Sequence, residues 1–241
     1  VLLRSWPNRE NADVKRLDGI KTCVFDAYGT LFDFASAAAR CQDVPDQKLS
    51  ALTSLWREKQ LQYTWLRSLE GSYADFWQLT GDALDFALDS LGIASPELQA
   101  KLMDLYLTPA PFPEVPSVLV QLRQAGFSTA ILSNGSATML DSAVRAAGLS
   151  ELFDSVLSVD AVKVFKPHPR VYAYGLEQLG LRADQVSFQS SNAWDAYGAS
   201  HFGLRVVWCN RYNHRPERLP GAPDFEIRSL SELPELLTPP A

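Results

Sequence analysis

The sequence predicts an α/β protein: a doubly wound parallel sheet, interrupted after its first strand by a helical insertion. Two observations carry this. Five short, almost wholly apolar runs alternate with stretches of helical periodicity, the pattern of parallel strands covered on both faces. Residues from about 35 to 110 break that rhythm and hold helical patterns alone.

The first run, 20–25 (IKTCVF), is rich in β-branched residues and ends at Asp26. The others are Ser128–Leu132, Ser155–Val159, Val186–Phe188 and Leu204–Cys209. Between them, Val115–Ala125, Ala137–Ala147 and Arg170–Leu179 carry apolar residues at helical spacing, and each stops at a glycine: Gly126, Gly148 and Gly180. Glycine just past the last periodic residue is a common helix ending. In the insertion, Leu49–Leu69 reads as one long helix, with Leu52, Trp56, Tyr63 and Leu66 on its apolar stripe. Tyr73–Leu91 and Glu97–Leu107 follow as two more helices. The run TPAPFPEVP (Thr108–Pro116) reads as a stiff return linker. These elements divide the chain into an N-terminal extension (1–18), a core (19–34 and 111–241) and a helical insertion (35–110).

Composition narrows the function. The 241 residues suit a core domain with a smaller inserted one. The net charge is −6 with acids and bases mixed, and no basic stripe marks a nucleic-acid partner. An acidic protein with an anionic substrate must concentrate positive charge at the site. Three cysteines (Cys23, Cys41, Cys209) form neither a metal-type pair nor a disulfide framework. His168, His201 and His214 have no metal-ligand spacing. No segment approaches the roughly 18 continuous apolar residues of a membrane span, and the N-terminus lacks a secretory apolar stretch. The expected location is therefore cytoplasmic.

In open parallel sheets, ligands bind beyond the C-terminal strand ends, where strand order reverses. Four polar clusters occupy such ends. In FDAYGTLFD (Phe25–Asp33), Asp26 follows the first strand at once and can attack an electrophilic carbon to form an ester. A lone aspartate there is more commonly a cap or turn residue. In ILSNG (Ile131–Gly135), Ser133, Asn134 and nearby backbone N–H groups suit a carboxylate or leaving anion, or simply cap a helix. In VFKPHPRVY (Val164–Tyr172), Lys166 can pair with Asp26 and keep it ionised, although surface lysines are the rule. In SFQSSNAWDA (Ser187–Ala196), Ser190, Ser191, Asn192 and Asp195 can orient a water, or form a polar capping turn. Each bland reading is adequate alone. Chance capping does not explain all four clusters on successive strand ends.

With these motifs and WREKQLQYTWLRSL (Trp56–Leu69), the chain resembles the haloacid dehalogenase superfamily from about Lys21 to Asn210, and more narrowly the L-2-haloacid dehalogenases. The resemblance implies a Rossmann-like core with a helical cap and a homodimer. It implies Asp26 as nucleophile, with Thr30, Arg57, Ser133, Lys166, Tyr172, Ser190, Asn192 and Asp195 as the catalytic set. Arg57 and Asn134 would meet the halide, and Tyr28, Leu61, Phe76 and Trp194 would wall the substrate's carbon chain. Arginine suits this role because it stays charged and is weakly hydrated.

Most members of the superfamily are phosphatases with Asp-x-Asp after the first strand and acidic Mg²⁺ ligands in the fourth motif. Here Tyr28 replaces the second Asp, and Asn192 stands where a metal-binding Asp is expected. Too few carboxylates remain for Mg²⁺, so the reading is metal-independent and cofactor-free. The expected reaction converts short L-2-haloacids to D-2-hydroxyacids with inversion. A hydrolase of another 2-substituted carboxylic acid, a metal-dependent phosphatase and a non-catalytic binding relative remain alternatives. Three departures bear on substrate range: Glu58 for the usual Gln, Gln189 for an aliphatic residue before SSN, and Phe34 for a smaller valine.

Overall fold

A computed structural model describes residues 16–34, 44, 46–93 and 96–240. Its centre is a six-stranded sheet: β1 (Thr22–Phe25), β2 (Ser128–Ser133), β3 (Ser155–Ser158), β4 (Val186–Ser190), β5 (Arg205–Cys209) and β6 (Phe225–Ile227). The strand order is β3-β2-β1-β4-β5-β6, and every neighbouring pair is parallel. All four residues of β1 and all five of β4 are buried, as two covered faces require. The chain winds outward from β1 through β2 to β3, then returns to β4 and winds the other way. The switch point therefore opens between the ends of β1 and β4.

The core helices are α4 (Val115–Gln124), α5 (Ala137–Ala146), α6 (Pro169–Leu179) and α7 (Ala193–Phe202), and the insertion holds α1 (Asp46–Glu70), α2 (Phe76–Ser90) and α3 (Pro96–Asp104). In the core, α4 packs on β2 and α7 on β4 and β5. In the insertion, α1 and α2 lie against each other through Leu52, Trp56, Leu79, Ala83 and Leu84, all buried. The indole of Trp56 also donates to Thr80 O at 2.8 Å.

The parallel, doubly wound sheet and the element types follow the sequence reading, with corrections. The fourth strand runs on to Ser190 instead of stopping at Phe188, and β6 is an added short edge strand. The third insertion helix ends at Asp104, before the expected Leu107. The return linker is shorter than expected, because Val115 and Pro116 already belong to α4. The rest of it pairs with the outgoing strand end: Asp33 N donates to Ala110 O and Phe112 N to Leu31 O, each at 2.9 Å. Leu17, inside the stretch read as extension, is fully buried and bonds through its N–H to Leu236 O, so it packs with the core. Cys41 lies outside the described residues. Cys23 and Cys209 are buried free thiols, and burial pushes both up, Cys209 to about 11.

Candidate active site

Asp26 sits one residue beyond β1, at the switch point. Its N–H still donates to Gln189 O at 2.9 Å, extending the ladder and fixing the backbone from which the carboxylate projects. Gly29 then adopts φ +87°, a conformation that glycine enters without Cβ strain. That tight turn brings Thr30 back so that its hydroxyl donates to Asp26 Oδ2 at 3.2 Å while accepting from Ser191 N at 2.8 Å.

Both Asp26 oxygens are occupied. Oδ1 receives Lys166 Nζ at 3.2 Å, and Oδ2 also receives Asn192 Nδ2 at 2.8 Å. Lys166 is 1% exposed, which overturns the default of a solvated lysine. Its ammonium lies between Asp26 and Asp195 Oδ2, the latter at 2.9 Å, and 4.7 Å from the centre of the Phe188 ring. Burial alone would lower its pKa, but the two carboxylates outweigh this and hold it above its ordinary value of 10.5. Asp195 is fully buried, and burial raises its carboxyl while Lys166 works against that rise. Its second oxygen takes the Tyr172 hydroxyl at 2.8 Å. Burial and then Asp195 push that phenol well up, so Tyr172 stays a donor.

These contacts need a close approach of α7 to the Lys166 loop. A Cβ at Gly198 would lie 2.5 Å from Pro167 Cβ and 3.1 Å from Tyr172 Oη. The capping explanation for the second and fourth motifs also fails in detail. Ser136, not Ser133 or Asn134, caps α5. Asn192 is the N-cap residue of α7 but makes no side-chain cap bond. Instead it bridges Asp26 and Arg57, whose Nη2 donates to Asn192 Oδ1 at 3.0 Å. Ser190 Oγ accepts from Asn192 N at 3.2 Å. Asn134 Oδ1 accepts from Lys166 N at 2.9 Å, tying the second motif to the third. Ser133 is buried and its Oγ accepts from Gly135 N at 3.1 Å.

A cavity of about 750 Å³ meets this cluster on the Arg57–Asn192 side, lined in part by Tyr28, Gly29, Phe34, Arg57, Tyr106 and Asn192. Its aromatic wall is continuous: Phe34 packs 4.0 Å and Tyr28 5.1 Å from Tyr106, ring centre to ring centre. Phe76 stacks 6.4 Å from Tyr28, behind the lining. Leu61 and Trp194 are outside the lining. Trp194 meets the indole of Trp65 edge-on at 5.6 Å, one helical turn beyond Leu61. Of the three departures, Glu58 is exposed, so Arg57 is not neutralised as its neighbour suggested. Its Nη1 goes to Gln60 Oε1 at 2.7 Å. Phe34 lines the cavity. Gln189 is buried, donates to Ser187 Oγ, and leaves Oε1 without a partner among the described residues.

Sequence reasoning missed Gln60 and Tyr106. Neither stands out within the helical patterns of the insertion, and only the fold shows that Gln60 ties Arg57 to Tyr106. It also missed Arg211, which donates to Thr30 O at 2.8 Å and to Glu114 at 2.6 Å, bracing the turn that follows Asp26.

The donor set does not fit the magnesium ion of the phosphatase branch. Asp26 and Asp195 are both turned onto the Lys166 ammonium, and Asn192 presents its N–H₂ to Asp26. Among the described residues, no three His, Cys, Asp or Glu cluster in a metal-holding arrangement. Tyr28, in place of the phosphatase acid, donates its hydroxyl to Tyr106 O at 3.0 Å, and burial pushes its pKa up.

Known proteins place this geometry in context. The chain is 47% identical over 223 residues to (S)-2-haloacid dehalogenase 1 of Pseudomonas sp. (strain CBS-3), covering 92% of this chain and 98% of that protein. The structure of the L-2-haloacid dehalogenase from Xanthobacter autotrophicus superposes with a TM-score of 0.84 at 40% identity, covering 90% of this chain and 98% of that one. A second structure of that enzyme, with chloropropionic acid covalently bound, matches at 39% identity over the same shares with the same TM-score. The haloacid dehalogenase-like hydrolase model matches residues 20–203, a span that holds all four motifs, so the chain belongs to the haloacid dehalogenase-like hydrolases.

Proposed function

We propose that this protein hydrolyses short-chain L-2-haloacids to D-2-hydroxyacids through an ester on Asp26, without a metal. The observation that carries the reading is the triple clamp on the Asp26 carboxylate by Lys166, Thr30 and Asn192. Such a carboxylate is held in one orientation and aimed, and a positive charge beside it suits an anionic substrate.

In the first step an Asp26 oxygen forms a bond to the α-carbon from the face opposite the halogen. The carbon–halogen bond breaks, and the halide leaves with its electron pair toward Arg57 and Asn134. Ser133, neighbouring backbone N–H groups and Lys166 receive the substrate carboxylate. Configuration inverts. In the second step water, held by Ser190, Asn192 and Asp195, attacks the ester carbonyl carbon of Asp26. The acyl–oxygen bond breaks, the hydroxyacid leaves with a proton, and Asp26 keeps an oxygen from water. Asp195, with its raised carboxyl, is suited to take the water's proton. Tyr28 shapes the apolar side with Phe76 behind it, Leu61 and Trp194 contribute only from outside the cavity lining, and the insertion 35–110 acts as the cap that limits water at the nucleophile.

The reading includes a cytoplasmic homodimer. Exposed Trp65, Leu66 and Leu69 on α1 with Phe86 on α2 support an apolar interface on the cap; light scattering at micromolar concentration tests it. Halide release from both enantiomers of 2-chloropropionate, with and without chelator, tests the activity. Release from the L enantiomer alone in chelator supports the reading. Phosphatase activity restored by Mg²⁺, with no halide release, would overturn it.

A further inference from the structure

Tyr106 carries a hydroxyl hydrogen that the network around Arg57 leaves over. A guanidinium has only donors, so Gln60 must turn its amide oxygen to Arg57 Nη1, at 2.7 Å, and its nitrogen the other way. Gln60 Nε2 then donates to Thr80 Oγ1 at 2.8 Å and to Tyr106 Oη at 3.0 Å. Thr80 spends its own hydrogen on Phe76 O at 2.6 Å. Tyr106 Oη is thus an acceptor toward Gln60, and its single hydrogen must point elsewhere. Among the described residues no acceptor takes it. Tyr106 is 2% exposed, and it lines the same cavity as Arg57, held to the opposite end of one amide.

We propose that the Tyr106 hydroxyl donates to the departing halide beside Arg57, as a second leaving-group contact built into the aromatic wall. This rests on the reading that Arg57 faces the halide. Burial pushes the Tyr106 phenol up, against the opposing pull of Arg57 and the Gln60 amide, so the group keeps its proton at working pH. The ring holds its place without the hydroxyl, since Phe34, Tyr28 and Trp56 pack around it. A hydrogen bond that forms as negative charge gathers on the halogen acts on the transition state more than on bound substrate. Chloride, the harder and poorer leaving anion, depends on it more than bromide.

The test compares single-turnover halide release by the wild type and Tyr106→Phe on L-2-chloropropionate and L-2-bromopropionate. Loss of one hydrogen bond to a charged group predicts a roughly tenfold slower step with the chloro acid and a smaller loss with the bromo acid, with KM little changed. Halide binding to Asp26→Asn, read by tryptophan fluorescence, should weaken when Tyr106→Phe is added. Equal losses for both halogens together with unchanged halide binding would overturn the proposal and leave Tyr106 a wall residue. Arg57→Lys separates the two readings. If it changes the chloro/bromo ratio and Tyr106→Phe does not, this inference alone fails. If neither changes it, the placement of the halide at Arg57 fails as well.

Discussion

Replacing Lys166 by methionine keeps the side chain's length and removes the charge between two buried carboxylates. Both approach the ammonium closely, Asp26 Oδ1 at 3.2 Å and Asp195 Oδ2 at 2.9 Å. The two oxygens are therefore no more than about 6 Å apart, and at an effective dielectric of about 20 the uncompensated charges repel by about 3 kcal/mol. That agrees with the roughly 3–5 kcal/mol lost when one partner of a buried ion pair is removed. It also pushes up the carboxyl that yields first. Asp195 yields first, because burial already raises it. The pH dependence follows from these directions. In the wild type the folded-state pKa of Lys166 is raised, so its stabilisation is complete below 10.5 and fades only as pH rises through the higher folded value. In the variant the raised folded pKa of Asp195 is no longer opposed by Lys166, so its contribution is favourable at low pH and is lost as pH rises. Guanidinium unfolding of Lys166→Met should therefore show a deficit of about 3 kcal/mol or more at pH 8 that shrinks by at least about 1 kcal/mol at pH 5. Halide release should fall by more than about a hundredfold at pH 8. A deficit of equal size at both pH values would refute the placement of this ammonium between the two carboxylates.

Three further outcomes follow from the same contacts. Asn192→Asp replaces the N–H₂ that meets Asp26 Oδ2 at 2.8 Å with a second carboxylate, so halide release should drop by about a hundredfold or more, and Mg²⁺ titration should restore no activity. Gly198→Ala sets a methyl against Pro167 and Tyr172; overpacking of this kind costs about 1–3 kcal/mol in thermal or chemical unfolding, and the rate should fall with KM nearly unchanged because the Lys166 loop shifts. Gln189→Leu removes a buried amide oxygen that has no partner, and urea unfolding should show a gain of up to about 1 kcal/mol, with a loss of stability counting against that description of the strand.

Much of this architecture was legible because parallel strands covered on both faces leave an unmistakable apolar rhythm. Runs such as TCVF and STAILS have no amphipathic reading. β6 was not legible: three residues at a sheet edge, half exposed, carry too little pattern to separate from a loop. In the site, Asp26, Lys166, Asn192 and Asp195 were legible as polar residues at strand ends, since the topology forces such ends together. Their partners were less so. Gln60 sits on α1, where a buried polar residue does not stand out from the helical pattern, and Tyr106 lies in the turn just past α3, in a stretch that read as helix. Arg211 lies well beyond the fourth motif, and its role depends on a loop that folds back beneath Thr30. Glu58 shows the converse: adjacency in sequence suggested a charge beside Arg57, but neighbouring helix positions point about 100° apart, and Glu58 is exposed.

The central claim is that Asp26 is esterified during turnover. A single turnover with excess enzyme in ¹⁸O-water, followed by mass analysis of the peptide containing Asp26, tests it most directly. The account predicts label in the Asp26 carboxylate and almost none in the first hydroxyacid released; label appearing directly in that product, with Asp26 unlabelled, would contradict it.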